Sequence, residues 1–332
     1  MAIKAMAIAV LSISALLTSV EADALKGRGA SFPGPVYKAW TSEYFASTNH
    51  QVNYTPTGSG DGIKSIKKRM VDFAGTDKPL KSKSLKKSKL HMFPTTIGAV
   101  VLAYNLDGVK DGELKLSRKA IAGIFTGRIS FWDHKDIIKE NPSLSLPHEP
   151  ITVVVRADKS GTTYNFTYFL NRLDRSIKVS KKPTWKAKKV VAGKSNAGVS
   201  ANIQQIKNSI GYIEYSFKEK LGLSAAQIQN LAKFYITPSL DSFKIASKYV
   251  KWSAKDDFYA IIGDPAGSKS YPIVAATFLL LPKDAKTNKE VTRFMDWAYT
   301  HGDEAAQKLG YVPLSSSTKD AIRKYWKSNN MM

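Results

Sequence analysis

The sequence predicts an α/β protein of two lobes, each a mostly parallel sheet flanked by helices. Strand-length runs of β-branched and aromatic residues alternate with apolar residues at helical spacing, the order that builds parallel sheets covered by helices. The chain has 332 residues, more than one core usually fills, and its 43% hydrophobic and 11% aromatic content can supply two. No internal repeat, sustained heptad or Pro-rich linker separates the halves, so strand crossings should join them.

In chain order, Val36, Trp40 and Tyr44 recur at helical spacing, and a strand at 52–57 follows. Ile63, Ile66 and Met70 mark a second helix before a strand at 71–75. Runs at 99–105 and 151–156 read as strands, and Phe166, Phe169, Leu170 and Leu173 as the apolar face of a helix. Strands at 211–215 and 273–281 come next. The stretch 290–306 reads as one helix, with Val291, Phe294, Met295 and Ala298 on one face.

The N-terminus gives an address. Lys4 precedes an almost wholly apolar stretch at 5–17, and Val20-Glu21-Ala22 has the small-x-small pattern of a cleavage site, so 1–22 reads as a secretory signal. That apolar run is too short to span a bilayer, and those at 97–106 and 273–282 are strand-sized. The cysteine count is zero, which excludes disulfides, thiolate metal sites, a Cys nucleophile and a lipid-modified Cys. The expectation is a freely diffusing exported protein.

Net charge is +23, with 50 basic against 27 acidic residues. Lys78, Lys81, Lys83, Lys86, Lys87 and Lys89 form one concentration, and Lys178, Lys181, Lys182, Lys186, Lys188, Lys189 and Lys194 another. Such runs can bind a polyanion, steer small anions by a general field, or be a solvated surface. Lysine predominates over arginine and no nucleic-acid motif accompanies it, so nucleic acid is not the expected partner.

Four segments read as parts of one oxyanion clamp: Gly29-Ala30-Ser31-Phe32-Pro33, Gly58-Ser59-Gly60-Asp61-Gly62, Gly75-Thr76-Asp77 and the run from Arg156 to Thr163. Three of them put small residues and hydroxyls where a helix begins, so that free N–H groups and the positive helix end converge on an anion. Loops beyond the carboxyl ends of strands are where open α/β sheets bind ligands. The remaining segment adds a carboxylate, Asp77. An acceptor inside an anion site suits an anion that still carries a proton, which phosphate does near neutral pH and sulfate does not.

Other chemistries fit less well. The stretch 263–270 misses the spacing of a nucleotide-binding loop by one residue. His50, His91, His134, His148 and His301 form none of the usual metal pairs, and Asp133, His134 and Asp136 read equally well as a solvated turn. No serine sits in a nucleophile-elbow pattern. Neither a metal nor a cofactor is expected, and the chain is not expected to be an enzyme.

The segments GASFPGPVYKAW, VNYTPTGSGDGIKSI, VDFAGTDKPL, FPTTIGAVVLAYN, IAGIFTGRISFWDHKDI, NPSLSLP, VVVRADKSGTTYNFTYFL, IGYIEYSF and FMDWAY together resemble the periplasmic phosphate-binding proteins of phosphate-specific ABC transporters. The likeness covers roughly 27–326, and the RADKSGT stretch is its most specific part. It implies a type II solute-binding fold with the ligand in the interlobe cleft: 23–97 plus 277–332 as lobe I, and 98–276 as lobe II. It implies phosphate contacts at Ser31, Phe32, Ser59, Asp77, Arg156, Ser160, Gly161 and Thr162, with Asp158 holding Arg156 in line. It also implies a monomer in the periplasm that delivers phosphate to membrane permease subunits. Ser31 stands where the family commonly has Thr, and Asp61 where a small residue is more usual. The alternatives are a binding protein for another tetrahedral oxyanion, such as sulfate, and a cationic surface adhesin using the lysine runs.

Overall fold

The structure, a computed structural model, describes residues 24–332; the signal segment expected at 1–22 lies outside them. β1 (Leu25–Gly29), α1 (Gly34–Thr48), β2 (Val52–Thr55), α2 (Ser59–Lys67), β3 (Phe73–Thr76) and α3 (Ser82–Ser88) open the fold in strict alternation. β4 (Leu90–Asn105) leads to β5 (Lys115–Leu116), α4 (Arg118–Thr126), α5 (Lys135–Ile138), β6 (Thr152–Arg156), α6 (Gly161–Leu173), β7 (Lys189–Gly193), α7 (Ser195–Gln205), β8 (Ser209–Glu214) and α8 (Tyr215–Leu221). β9 (Ser224–Ala225), β10 (Gln227–Gln229) and β11 (Tyr235–Ile236) precede α9 (Leu240–Ser247). β12 (Val274–Pro282), α10 (Asn288–His301), α11 (Asp303–Lys308) and α12 (Ser316–Ser328) complete the chain.

The α/β alternation expected from the sequence is present, in one continuous path of strands ordered β2-β1-β3-β12-β4-β8-β6-β7. β1 pairs in parallel with β2 and β3, and β6 in parallel with β7 and β8. Between these parallel sets, β12 and β4 run antiparallel to their neighbours. β12 pairs along residues 90–99 of β4 and β8 along residues 100–105, so a single strand passes from one half of the sheet into the other. β4 is buried along nearly its whole length, and its second half, 97–104, reads as a continuous run without charged residues. Pro94 lacks an N–H, and beside it the β4–β12 register shifts between Thr277 and Phe278.

Local chemistry moved several boundaries. Residues 71 and 72 fall outside β3, and α2 stops at Lys67, leaving Met70 61% exposed rather than on its apolar face. Arg69 there turns into the left-handed region at φ 57°. The expected helix at 290–306 is two helices that break at Gly302, whose carbonyl accepts from Trp40 Nε1 at 2.9 Å. A Cβ on Gly302 would lie 2.3 Å from that nitrogen, so the indole and a larger residue cannot share the space. Tyr215 starts α8 rather than ending a strand, because the Glu214 carboxylate caps the Ser216 N–H at 3.0 Å. β1 and β7 were not legible as strands: the first is short and glycine-rich, the second a mostly exposed edge within the lysine run.

Candidate functional site

The loops after β1, β2 and β3 face those after β6 and β7. Each pairing is carried by the carboxyl end of a strand opening into a helix or turn, and hydrogen bonds cross between the two halves of the sheet. Gly60 N donates to Lys159 O at 2.8 Å, Asn165 Nδ2 to Asp77 O at 2.7 Å, and both the backbone N and Nδ2 of Asn196 to Ser31 Oγ at 3.1 Å. Glycine permits the approach. A Cβ on Gly161 would sit 2.3 Å from Ser59 Oγ and 2.5 Å from Asp77 Oδ2, and Gly58 holds φ +100° against Asp158.

Four buried hydroxyls line the seam, and N–H groups occupy lone pairs on all of them. Ser31 Oγ accepts the two bonds from Asn196; Ser59 Oγ accepts Asp77 N at 3.2 Å; Ser160 Oγ caps α6 by accepting Thr163 N at 3.0 Å. Thr162 Oγ1 accepts from Arg156 Nη1 at 3.2 Å and Asn196 Nδ2 at 3.3 Å. A hydroxyl that already accepts turns its single proton elsewhere. Among the described residues, Ser31, Ser160 and Thr162 meet no protein acceptor for that proton, and the N–H groups of Phe32, Gly161 and Thr162 have none either. The clamp is therefore a set of donors.

Arg156 is 4% exposed, and two of its nitrogens are fixed by Asp158, Nε to Oδ1 at 2.9 Å and Nη2 to Oδ2 at 2.6 Å. That leaves the Nη1 edge toward Thr162. Burial pushes the Asp158 carboxyl up, but Arg156 and the Ser195 N–H outweigh it and hold the group below the usual carboxylate range. Asp77 is the exception to the donor lining. Burial pushes it up to about 7, against the opposing pull of Thr277, Arg156 and Ser59. Its Oδ1 accepts from Thr277 Oγ1 at 2.7 Å, and its Oδ2 lies 3.4 Å from Ser59 Oγ.

Ser31, Phe32, Ser59, Asp77, Arg156, Asp158, Ser160, Gly161 and Thr162, named from the sequence, are thus brought to one seam. Asp61 is turned away, bonded to Thr57 Oγ1 at 2.7 Å and 3.6 Å from Arg28. Asn196, Asn165 and Thr277 were missed. The strand–loop–helix pattern that presents Asn196 is the same one that exposed Ser160, but the lysine run around β7 hid it. Asp264 of the nucleotide-loop lookalike is held by Arg118 at 2.7 Å and Arg172 at 3.1 Å, and Asn230 ties its loop down. His134 caps α5, and Asp133 bonds His148.

Behind the seam, Tyr311 donates to Phe32 O at 2.6 Å and lies 2.9 Å from Glu214 Oε2. Glu214 is fully buried and its Oε1 has no partner. Burial pushes it up to about 8, with Ser216 and Tyr311 opposing and Asp77 adding to the rise. The folded chain thus holds a proton that the unfolded chain releases above the ordinary glutamate range, so stability falls as pH rises from about 4.5 to 8. Asp77 acts with the same sign. Glu214→Gln should flatten this decline and stabilise the fold at pH 8 by at least about 1 kcal/mol, as read from melting curves. An unchanged slope would place the pH dependence elsewhere.

Residues 18–301 match the PBP superfamily domain. A protein of Haemophilus influenzae named phosphate-binding protein PstS is 39% identical over 317 residues, covering 94% of this chain and 95% of that one. A phosphate-binding protein PstS of Pasteurella multocida is 37% identical, covering 98% and 96%. Among solved structures, a high-affinity periplasmic phosphate-binding protein bound with phosphate superposes with a TM-score of 0.74 over 91% of this chain and 93% of its own, at 23% identity. Among the described residues, no helix is long and apolar enough to cross a membrane.

Proposed function

This chain belongs to the PstS family of phosphate-binding proteins within the PBP superfamily, and from that premise we propose that it captures inorganic phosphate in the periplasm. It would then deliver the anion to permease subunits of an ABC transporter. The observation that carries this is the donor-lined seam with a single acceptor. A tetrahedral anion with four oxygens and one proton can satisfy Ser31, Ser59, Ser160 and Thr162, the N–H groups of Phe32 and Gly161, the Arg156 Nη1 edge and Asp77 together. The division into lobes at 23–97 plus 277–332 and 98–276 belongs to the same proposal. Phosphate touching both lobes favours the closed arrangement because it gains contacts there that the open one lacks. The same reading makes the chain a monomeric receptor rather than a catalyst.

Calorimetry on mature protein stripped of ligand should show one phosphate per chain. Free phosphate at about 100 times its dissociation constant should stabilise the fold by about 2.7 kcal/mol. No heat and no thermal shift at millimolar phosphate would overturn the reading.

Asn196 is a positioning residue in this scheme. Its amide keeps Ser31 and Thr162 pointing their protons inward. Asn196→Asp puts an acceptor where the donor stood, so both hydroxyls should turn to it. Phosphate affinity should fall tenfold or more, about 1.4 kcal/mol, and the ligand-free protein should also melt earlier as pH rises, because position 196 is fully buried and a carboxylate there is costly to ionise. Unchanged affinity would remove Asn196 from the mechanism.

A further inference from the structure

The two lysine runs of the sequence meet at the seam. Lys78 follows Asp77 directly, and its Nζ lies 5.1 Å from the centre of the Tyr164 ring. Lys159 sits between Asp158 and Ser160, and its carbonyl takes the Gly60 N–H from the other half at 2.8 Å. Lys181 is half-buried, and its carbonyl accepts Ser160 N at 3.0 Å. α2, which starts at the seam with Ser59, ends on Lys67. A Cβ on Gly60, near the start of α2, would lie 2.4 Å from Lys159 Cβ, so Lys159 packs on the same face of α2 that Lys67 occupies seven residues on. Burial, then the ammoniums of Lys78, Lys159 and Lys67, also hold the Lys181 amine below its usual range. Two come from each half, and among the described residues none of the four is in an ion pair.

Bringing these cations together opposes closure, and an anion laid across them would offset the repulsion. The patch has a chemical character. Neither run contains arginine. Tyr164 has Lys78 over its ring and Trp185 packs against Phe125, Phe166 and Tyr212, so neither ring stands free on both faces as a platform on which bases stack. Protein interfaces are depleted in lysine at their centre. A flexible linear polyanion without bases fits best.

We infer that Lys67, Lys78, Lys159 and Lys181 form a second anion site, for a chain of inorganic polyphosphate, that is complete only when the two halves are together. This rests on closure being driven by phosphate in the seam. By linkage, phosphate and polyphosphate then tighten each other's binding by the same factor.

The test is fluorescence anisotropy with end-labelled polyphosphate and the full mature chain at about 150 mM salt. It is run with and without saturating phosphate, with phosphate binding followed by thermal shift in the same samples. Saturating phosphate should tighten polyphosphate binding at least threefold. Changing all four lysines to Gln (Lys67→Gln, Lys78→Gln, Lys159→Gln, Lys181→Gln) should weaken it at least tenfold, whereas Lys83→Gln, Lys86→Gln, Lys87→Gln and Lys89→Gln together should leave it within about twofold. Equal losses in the two variants, or equal binding of single-stranded DNA or polyglutamate, would mean a diffuse cationic field and overturn the proposal. A phosphate thermal shift without any effect on polyphosphate would overturn it too, while the absence of that shift would instead overturn the phosphate reading on which it rests.

Discussion

Arg156→Ala should weaken phosphate binding by about 2 to 5 kcal/mol, roughly 30- to 5,000-fold, while leaving the fold intact. Two losses combine. The anion forfeits a charge-assisted partner in a buried site, where such bonds are strongest. Asp158, now held by Arg156 at 2.6 Å and 2.9 Å, would also be left as a half-buried anion beside the ligand, supported by backbone N–H groups such as that of Ser195 but by no cation. Arg156→Lys should recover little of this, because one ammonium cannot grip Asp158 at two points and still present an edge to Thr162. Titration calorimetry gives the affinity and a melt of ligand-free protein the fold. Near-normal affinity in Arg156→Ala would take Arg156 out of the site.

The second large effect is on selectivity. Asp77→Asn should still bind phosphate, but its preference for phosphate over sulfate should fall at least about tenfold, roughly 1.4 kcal/mol. In wild type, an ionised Asp77 faces a P–OH as acceptor to donor and a fully ionised sulfate as acceptor to acceptor. Discrimination thus comes from a repulsive element in a desolvated place, where an unpaired acceptor is most costly. Thr277, bonded to Oδ1 at 2.7 Å, aims the carboxylate. Asparagine keeps the size and shape but can rotate to present N–H or C=O. Competition titrations on both proteins measure the ratio; an equal ratio would leave Asp77 a turn residue.

Much of this site was legible because its parts are local. Ser31, Ser59 and Ser160 each stand where a strand hands over to a helix, a pattern readable without knowing what lies opposite. Asp77 was conspicuous for the opposite reason, as a carboxylate among anion-binding loops. What could not be read depends on juxtaposition. Asn196 reaches Ser31 across 165 residues, and Thr277 reaches Asp77 across 200. Thr277 has no distinctive neighbourhood in sequence, and the lysine run masks the strand–helix junction that presents Asn196. The strand crossing was expected, but not that β4 begins at Leu90, because Pro94 and the Thr95-Thr96 pair interrupt its apolar run. Gly302 splits the last long helical pattern for a reason that lies in α1, at Trp40.

The proposed phosphate site requires one proton between Asp77 and the anion. Phosphate brings it. Sulfate must wait for Asp77 to take one from solvent, and burial sets that group at about 7. Above that pH each unit halts more of the binding-competent form, so direct sulfate titration between about pH 7 and 9 should show affinity falling about tenfold per pH unit. Asp77→Asn should remove the slope. A wild-type sulfate affinity that is flat over this range, or a slope that survives Asp77→Asn, would contradict the account.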